Sequence, residues 1–201
     1  MSGILSVKLW PVTKGRLEAF TDGVIAILIT IMVLEFKVPE GTSWDVLHPL
    51  LPIFLTYELS FVFLGIYWNN HHHMLYAAER INGKIMWANL HLLFWLSLTP
   101  FVTGWMGENH FAPVPTALYG VVQLLSAIAY TILQTLLVAE QGPNSRLARA
   151  MGADAKGKLS MLLWALAIGL AFVNQWISDA IYVTVALMWL VPDRRIENTA
   201  R

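Results

Sequence analysis

The stretch from Arg16 to Asp22 reads RLEAFTD and places an arginine, a glutamate and an aspartate just ahead of a long apolar run. That run extends from Gly23 to Leu34 and is interrupted only by Thr30. Ionisable groups close to a lipid-buried helix are costly, and at membrane depth they usually have a function. The cluster is therefore a candidate functional site, with Asp22 at the edge of the segment that would cross a bilayer.

The composition is that of an integral membrane protein. Of its 201 residues, 57% are hydrophobic and 13% are charged, and the mean hydropathy is +0.58. Six apolar segments approach the roughly 20 residues that a helix needs to cross the hydrocarbon core. We predict an all-α membrane protein with one six-helix transmembrane domain over residues 1–201. Its predicted helices are 17–37, 47–69, 85–106, 115–139, 159–176 and 178–192.

The last two segments are the least clearly separated. Between residues 159 and 191 the apolar run is interrupted only by Asn174, Gln175, Ser178 and Asp179, so one long bent helix is the alternative. Such a helix would be roughly 50 Å long, well beyond one bilayer core. Four polar side chains in its middle would also be expensive in lipid. A tight hairpin of two helices is therefore favoured.

The basic residues predict the orientation of the chain. With the N-terminus inside, all 13 lysine and arginine residues except Lys37 fall on the cytoplasmic side. The cytoplasmic set is Lys8, Lys14, Arg16, Arg80, Lys84, Arg146, Arg149, Lys156, Lys158, Arg194, Arg195 and Arg201. Short cytoplasmic loops carry an excess of such residues. Both termini are therefore predicted to be cytoplasmic.

The first apolar segment carries a continuous stripe. Ile27, Ile31 and Leu34 follow one another at spacings of four and three, so on a helix they share one face, with Thr30 beside them. Most stripes of this kind only pack in a helix bundle. Here the stripe follows a polar cluster, and the next two spans carry polar residues at the same depth. Those residues are Trp68, Asn69, Asn70, His71, His72, His73, Asn89 and His91.

This shared depth predicts a buried hydrogen-bonded network that holds the first helix against its neighbours. Its candidates are Arg16, Asp22, Asn89 and one or two of the histidines. The three consecutive histidines do not favour a metal site, because neighbouring helical residues point about 100° apart. A structural role for His72, bonded to Asp22 or to a backbone carbonyl, is favoured, and a pH-sensing role is the alternative.

The run RLEAFTDGVIAILITIMVLEFKVP resembles the signature of the transmembrane protein 175 family, in which Arg-x-x-x-Phe-Ser-Asp precedes an Ala-Ile helix. This family comprises endosomal and lysosomal potassium channels and their prokaryotic relatives. Three further motifs resemble its second and third spans: YWNNHH at 67–72, WANL at 87–90 and LTPF at 98–101. The resemblance covers at least residues 16–101. Its one departure is Thr21, which replaces a serine and keeps the hydroxyl.

The resemblance implies an assembly and a pore. Prokaryotic members of the family are single six-span units that form homotetramers, and the first helix of each subunit lines the central pore. The aliphatic residue five positions after the signature aspartate is the narrowest hydrophobic constriction, which corresponds to Ile27. Ile31 and Leu34 match the next pore-facing positions. Thr30 matches a pore-lining threonine proposed to influence potassium preference.

The resemblance also implies how the pore helix is held and how it conducts. It assigns an anchoring network to Arg16, Phe20, Thr21, Asp22, His72 and Asn89. The sequence lacks TVGYG, so no carbonyl ring would replace the hydration shell of an ion. We expect gating by dewetting at the isoleucines and only a modest preference for potassium over sodium. Glu35 either faces the pore mouth, where it would concentrate cations, or pairs with Lys37 at the surface.

The expected function is a potassium-permeable cation channel, and some relatives conduct protons as well. The alternative is a proton-coupled carrier of ions or small solutes that uses Asp22 and a histidine of the second span. An enzyme is not expected, because the sequence shows no HExxH motif and no phosphate-binding glycine loop. Expected partners are identical subunits in a homotetramer and the lipid bilayer, without nucleic acid. No cofactor is expected beyond the permeant K⁺, and the expected location is a bacterial plasma membrane.

Overall fold

The computed structural model describes residues 13–152 and 154–190, apart from the side chains of residues 150 and 151. Every regular element in this part of the chain is a helix, and the predicted all-α class is confirmed. Some predictions lie outside the described residues. They concern Lys8, Arg194, Arg195, Arg201 and the end of the predicted segment 178–192.

The first two long helices form an antiparallel pair. Helix α1 spans Lys14–Ile31 and continues as a 3-10 helix over Met32–Glu35. A second 3-10 segment, Trp44–Leu50, leads into α2, Leu51–Tyr76. Pro52 lies in the first turn of α2, where backbone N–H groups have no partner within the helix, so its missing N–H costs no hydrogen bond. With 26 residues, α2 is about 39 Å long, which exceeds the hydrocarbon core of a bilayer.

The third predicted segment, 85–106, is two helices instead of one. They are α3, Gly83–Leu96, and α4, Thr99–Glu108. The α-helical ladder is interrupted at residues 97–98. Pro100 explains the break, because it has no N–H to donate to the carbonyl four residues earlier.

The second half of the described chain begins with α5, Pro113–Gln141, which ends at Gly142. The φ angle of Gly142 is +92°, a conformation that only glycine adopts without strain. The polar stretch that follows contains a short helix, α6, Arg146–Met151. The side chain of Gln141 accepts from two backbone N–H groups of the α2–α3 loop, at 3.0 and 3.1 Å. The end of α5 is thereby tied to that loop.

The last two helices form a hairpin. They are α7, Ala155–Leu170, and α8, Gln175–Leu190, each with 16 residues. Trp164 of α7 packs on Tyr182 of α8, with ring centroids 4.8 Å apart. This arrangement agrees with the predicted hairpin and not with one long bent helix.

Four segments of the described chain are long and apolar enough to cross a membrane. They are Lys14–Glu35, Trp44–Tyr76, Gly83–Glu108 and Pro113–Gln141. The chain is therefore a multi-pass membrane protein. Helices α7 and α8 are shorter than these four in the described range, and the six-span topology stays a prediction.

Two apolar clusters hold the helices together. One joins α1, α2, α3 and α5 and includes Ile25 and Leu92, both buried. The other joins α2, α4, α5, α7 and α8 around Tyr119, Trp164 and Tyr182, whose rings pack on one another. Helix α1 contributes to only the first cluster. It therefore lies at one side of the subunit and not at its centre.

Helices α2 and α4 approach closely at Gly107. A Cβ atom on this residue would lie 2.6 Å from Thr56 Oγ1 and 2.8 Å from Ile53 Cα. The second contact is with backbone, which cannot rotate away as a side chain can. The absence of a side chain at Gly107 therefore sets the distance between the two helices.

We expect Gly107→Ala to destabilise the protein, because an added methyl group would push α4 away from α2. Overpacking of this kind costs about 1–3 kcal/mol, whereas alanine otherwise favours a helix over glycine by about 1 kcal/mol. The measurement is thermal unfolding in detergent, followed by circular dichroism. The matched control is Gly65→Ala in α2, where a Cβ would meet nothing within 4 Å. If both variants unfold at the same temperature, Gly107 does not set this contact.

Candidate pore helix and its anchoring contacts

Helix α1 and its 3-10 extension have one buried face and one exposed apolar face. The buried face consists of Leu17, Thr21, Ile25, Leu28 and Met32. The exposed face carries the three predicted constriction residues, Ile27, Ile31 and Leu34, which expose 62%, 45% and 75% of their surface. Contiguous apolar patches of this kind mark contacts with lipid or with another protein.

The 3-10 extension keeps the exposed stripe straight. Ile27 and Ile31 are about one turn apart in the α-helix. Beyond Ile31 the helix tightens to three residues per turn, so Leu34 follows on the same face. The stripe is therefore continuous from Ile27 to Leu34.

Thr30 is exposed beside this stripe. Its hydroxyl donates to the carbonyls of Ala26 and Ile27, both at 3.0 Å. The hydroxyl proton is thus used by the backbone of its own helix. The oxygen keeps its lone pairs, and a ring of such oxygens could act as weak cation ligands.

The buried face of α1 is joined to α2 and α3 by a chain of hydrogen bonds. The Asn89 amide nitrogen donates to Thr21 Oγ1 at 2.8 Å, and Asn89 Oδ1 lies 2.8 Å from His71 Nε2. Because the amide oxygen can only accept, Nε2 of His71 carries the proton. All three residues are buried. One asparagine thereby connects three helices.

A second set of contacts lies at the edge of the same interface. The Trp68 indole N–H donates to Asp22 Oδ1 at 3.0 Å, and His72 Nδ1 lies 3.0 Å from Glu18 Oε1. The Trp68 and His72 rings stack with centroids 6.3 Å apart. The predicted pairing of His72 with Asp22 is therefore replaced by two separate pairs.

Glu18 was not among the residues predicted to make these contacts. Trp68 and His71 were predicted only as polar residues at the same depth, with one or two of the histidines expected to join the network. A signal for Glu18 and Trp68 was present, because Glu18 and Asp22 are four residues apart, as are Trp68 and His72. Residues at this spacing share one helix face. When the two helices run antiparallel, the first residue of one pair can bond the second residue of the other. This is the arrangement observed, with Glu18 bonded to His72 and Asp22 to Trp68.

Arg16 and Phe20 do not join the predicted network. Both side chains are exposed, and neither makes a hydrogen bond or ion pair within the described residues. Their positions explain this, because residues 16, 20 and 27 lie on one face of the helix. Arg16 and Phe20 therefore extend the exposed stripe toward the start of α1.

Two charged side chains at the other end of α1, Glu35 and Lys37, contact α4. Lys37 Nζ lies 3.0 Å from Glu108 Oε1 at the end of α4. The Glu35 carboxylate is folded against α4, where a Cβ on Gly104 would meet its Oε2 at 2.7 Å. Of the two placements considered for Glu35, the pair with Lys37 is not formed. Within the described chain no three His, Cys, Asp or Glu side chains are grouped to hold a metal ion.

The sequence and the fold are similar to those of known proteins. The family model described as endosomal/lysosomal potassium channel TMEM175 matches residues 16–100, which contain nearly all of α1, the anchoring contacts and the start of α4. The crystal structure of a lysosomal potassium-selective channel TMEM175 homolog from Chamaesiphon minutus superposes with a TM-score of 0.76 at 26% identity. The match covers 89% of this chain and 96% of that one.

Two relatives are similar over nearly their full length. A protein named potassium channel from Chryseobacterium sp. (strain P1-3) is 53% identical over 94% of this chain and 98% of its own. Another protein named potassium channel, from Streptomyces collinus, is 31% identical over 88% of this chain and 91% of its own. With these matches, the family profile and the shared fold, the chain belongs to the TMEM175 family.

Proposed function

We propose that this chain is the subunit of a potassium-permeable cation channel, a homotetramer in which four copies of α1 surround a central pore. The observation that carries the proposal is the exposed apolar stripe of α1, which the described part of the subunit leaves uncovered. The names of the Chryseobacterium and Streptomyces relatives, each called a potassium channel, support it.

The pore would close at Ile27. Four isoleucine side chains around an axis form an apolar ring that offers water no hydrogen bonds, and such a ring gates by dewetting. Ile31 and Leu34 would continue the apolar lining over about 12 Å, as measured by the rise of the two helix types. An ion then crosses only when this length is hydrated.

Thr30 would supply the preference for potassium. Its hydroxyl proton is engaged by the helix backbone, so each of four subunits would present one neutral oxygen toward the pore. Neutral hydroxyl oxygens are weaker ligands than a ring of carbonyls, and the preference over sodium is therefore modest. The sequence has no TVGYG filter to add to it.

The anchoring network of the pore helix comprises Thr21 with Asn89 and His71, and Asp22 with Trp68. The Glu18–His72 contact supports the same helix pair, which gives His72 a role at the edge of the network. Arg16 and Phe20 lie on the exposed stripe, so we assign their contacts to a neighbouring subunit. This division separates residues that hold α1 within a subunit from residues that meet other copies.

The topology we propose has six spans with both termini in the cytoplasm of a bacterium. It rests on the basic residues, all of which except Lys37 fall on the cytoplasmic side in this arrangement. Lys14 donates to the Ala78 carbonyl at 3.0 Å. The start of α1 and the end of α2 therefore lie at the same end of the subunit, as the topology requires.

A proton-coupled carrier would need a relay between Asp22 and a histidine of α2. In the described chain Asp22 is bonded to the indole of Trp68, which does not titrate. His71 is bonded to Asn89, and His72 is bonded to Glu18 and not to Asp22. No continuous chain of titratable side chains joins the two. The geometry therefore favours the channel, and a flux measurement separates the two functions.

We expect Ile27→Asn to raise potassium flux through liposomes that contain the purified protein, because four amide side chains would hydrate the constriction. The flux is driven by a potassium gradient without any co-substrate, and a sodium gradient gives the comparison. The matched control is Ile132→Asn on the exposed face of α5, which places the same side chain outside the pore and is expected to leave the flux unchanged.

Equal flux in wild type and Ile27→Asn, with both proteins folded, would remove Ile27 from the constriction. Flux that requires a second substrate or saturates with a co-ion would identify a carrier. Potassium flux that exceeds sodium flux severalfold in the wild type agrees with the proposed channel.

We expect Asn89→Ala to lower the thermal stability of the protein, because it leaves buried groups of Thr21 and His71 without their partner. An unsatisfied buried polar group costs about 1–3 kcal/mol. The matched control is Asn70→Ala in α2, where the amide bonds only the Ile66 carbonyl of its own helix, at 2.9 Å. Unfolding temperatures in detergent are compared. Equal losses in the two variants would show that Asn89 does not anchor α1.

A further inference from the structure

A groove with a volume of about 700 Å³ lies between α2 and α8, toward the end of the subunit opposite the start of α1. Its walls are mostly apolar side chains such as Leu55 of α2 and Val183 of α8. Phe111 and Trp176 also line it, with ring centroids 5.4 Å apart. Sites for small molecules typically have volumes of about 300–1,000 Å³, apolar walls and a few polar groups. The groove has the volume and the walls of such a site.

Its polar groups include two acids, Glu58 of α2 and Asp179 of α8. Both carboxylate oxygens of Asp179 are buried, and neither has a hydrogen-bond partner in the described chain. Nearby hydroxyls do not serve them, because Ser178 and Tyr182 donate to backbone carbonyls at 2.7 and 3.0 Å. A carboxylate in this position is expensive unless a cation or a proton donor meets it.

The described residues of the subunit do not supply that cation. Lys37, the basic residue at this end of the described chain, is paired with Glu108. His110 also lines the groove, and the ion pairs of the described residues do not join it to either acid. The acids and His110 are also not grouped as metal ligands, and the groove is far larger than a bare ion requires. A ligand with both an apolar body and a positive charge fits these properties.

We propose that the groove binds a small lipophilic amine. Its ammonium group lies by Glu58 and Asp179, and its apolar body packs on Leu55 and Val183. Phe111 and Trp176 extend the apolar wall of the groove. The groove is contained within one chain, so this binding does not depend on the proposed pore and is measured without ion flux.

The test uses the full-length protein in detergent and isothermal titration calorimetry with 4-phenylbutylamine. The alcohol of the same shape, 4-phenylbutanol, is the uncharged comparison. We expect the amine to bind at least about tenfold more tightly than the alcohol, since a charge-assisted hydrogen bond in a desolvated site supplies a difference of that order. We expect Asp179→Asn to weaken amine binding about tenfold and to leave alcohol binding unchanged.

Glu58→Gln tests the wall formed by α2, and it is also expected to weaken amine binding. The matched control is Glu79→Gln, which removes an exposed acid from the loop after α2 and should leave amine binding unchanged. Val183→Trp fills the groove without altering its charge and should abolish binding of both ligands.

Equal affinities for amine and alcohol would overturn the proposal and identify an apolar groove for lipid chains. Amine binding that is unchanged in both Asp179→Asn and Glu58→Gln would also overturn the proposal. If Asp179→Asn does not fold, Glu58→Gln and Val183→Trp decide the question. Amine binding that survives Val183→Trp would place the ligand elsewhere.

Discussion

The hydrogen-bond chain from Thr21 through Asn89 to His71 determines how the first three helices fit together. Lipid offers these buried groups no alternative partner, so each must find one within the protein. Asn89 bonds both neighbours because its amide carries a donor and an acceptor side by side. The contact holds only when α1, α2 and α3 have one rotation and one depth relative to each other. It therefore restricts how these three helices can be arranged.

That restriction decides what α1 presents to its surroundings. Once Thr21 faces α3, and Glu18 and Asp22 face α2, the opposite side of the helix must point out of the subunit. The stripe headed by Ile27 lies on that side. A change of one residue in the contact would turn α1 by about 100° and bury the stripe. The rotation of α1 about its own axis therefore decides both which residues anchor it and which apolar residues it exposes.

The second apolar cluster is built around aromatic side chains and contains no residue of α1. The Ser60 hydroxyl lies 2.6 Å from Thr103 and 3.0 Å from Tyr119, and these bonds join α2, α4 and α5. Helix α2 contributes to both clusters, and it also carries His71 and one wall of the groove that contains Asp179. An occupant of that groove would contact the helix that holds α1 in place.

The sequence by itself determined the helical class, the hairpin of the last two helices and the stripe of Ile27, Ile31 and Leu34, because apolar length and periodicity are local properties of the chain. The helix break before Pro100 also has a local cause, although the continuous apolar run led to the prediction of a single helix there. Only the tertiary structure decided that His71 bonds Asn89 while His72 bonds Glu18, and that Arg16 lies outside the network. Adjacent helical residues differ in direction by about 100°. Which of them meets a neighbour depends on the rotation of the whole helix, and packing against other helices sets that rotation.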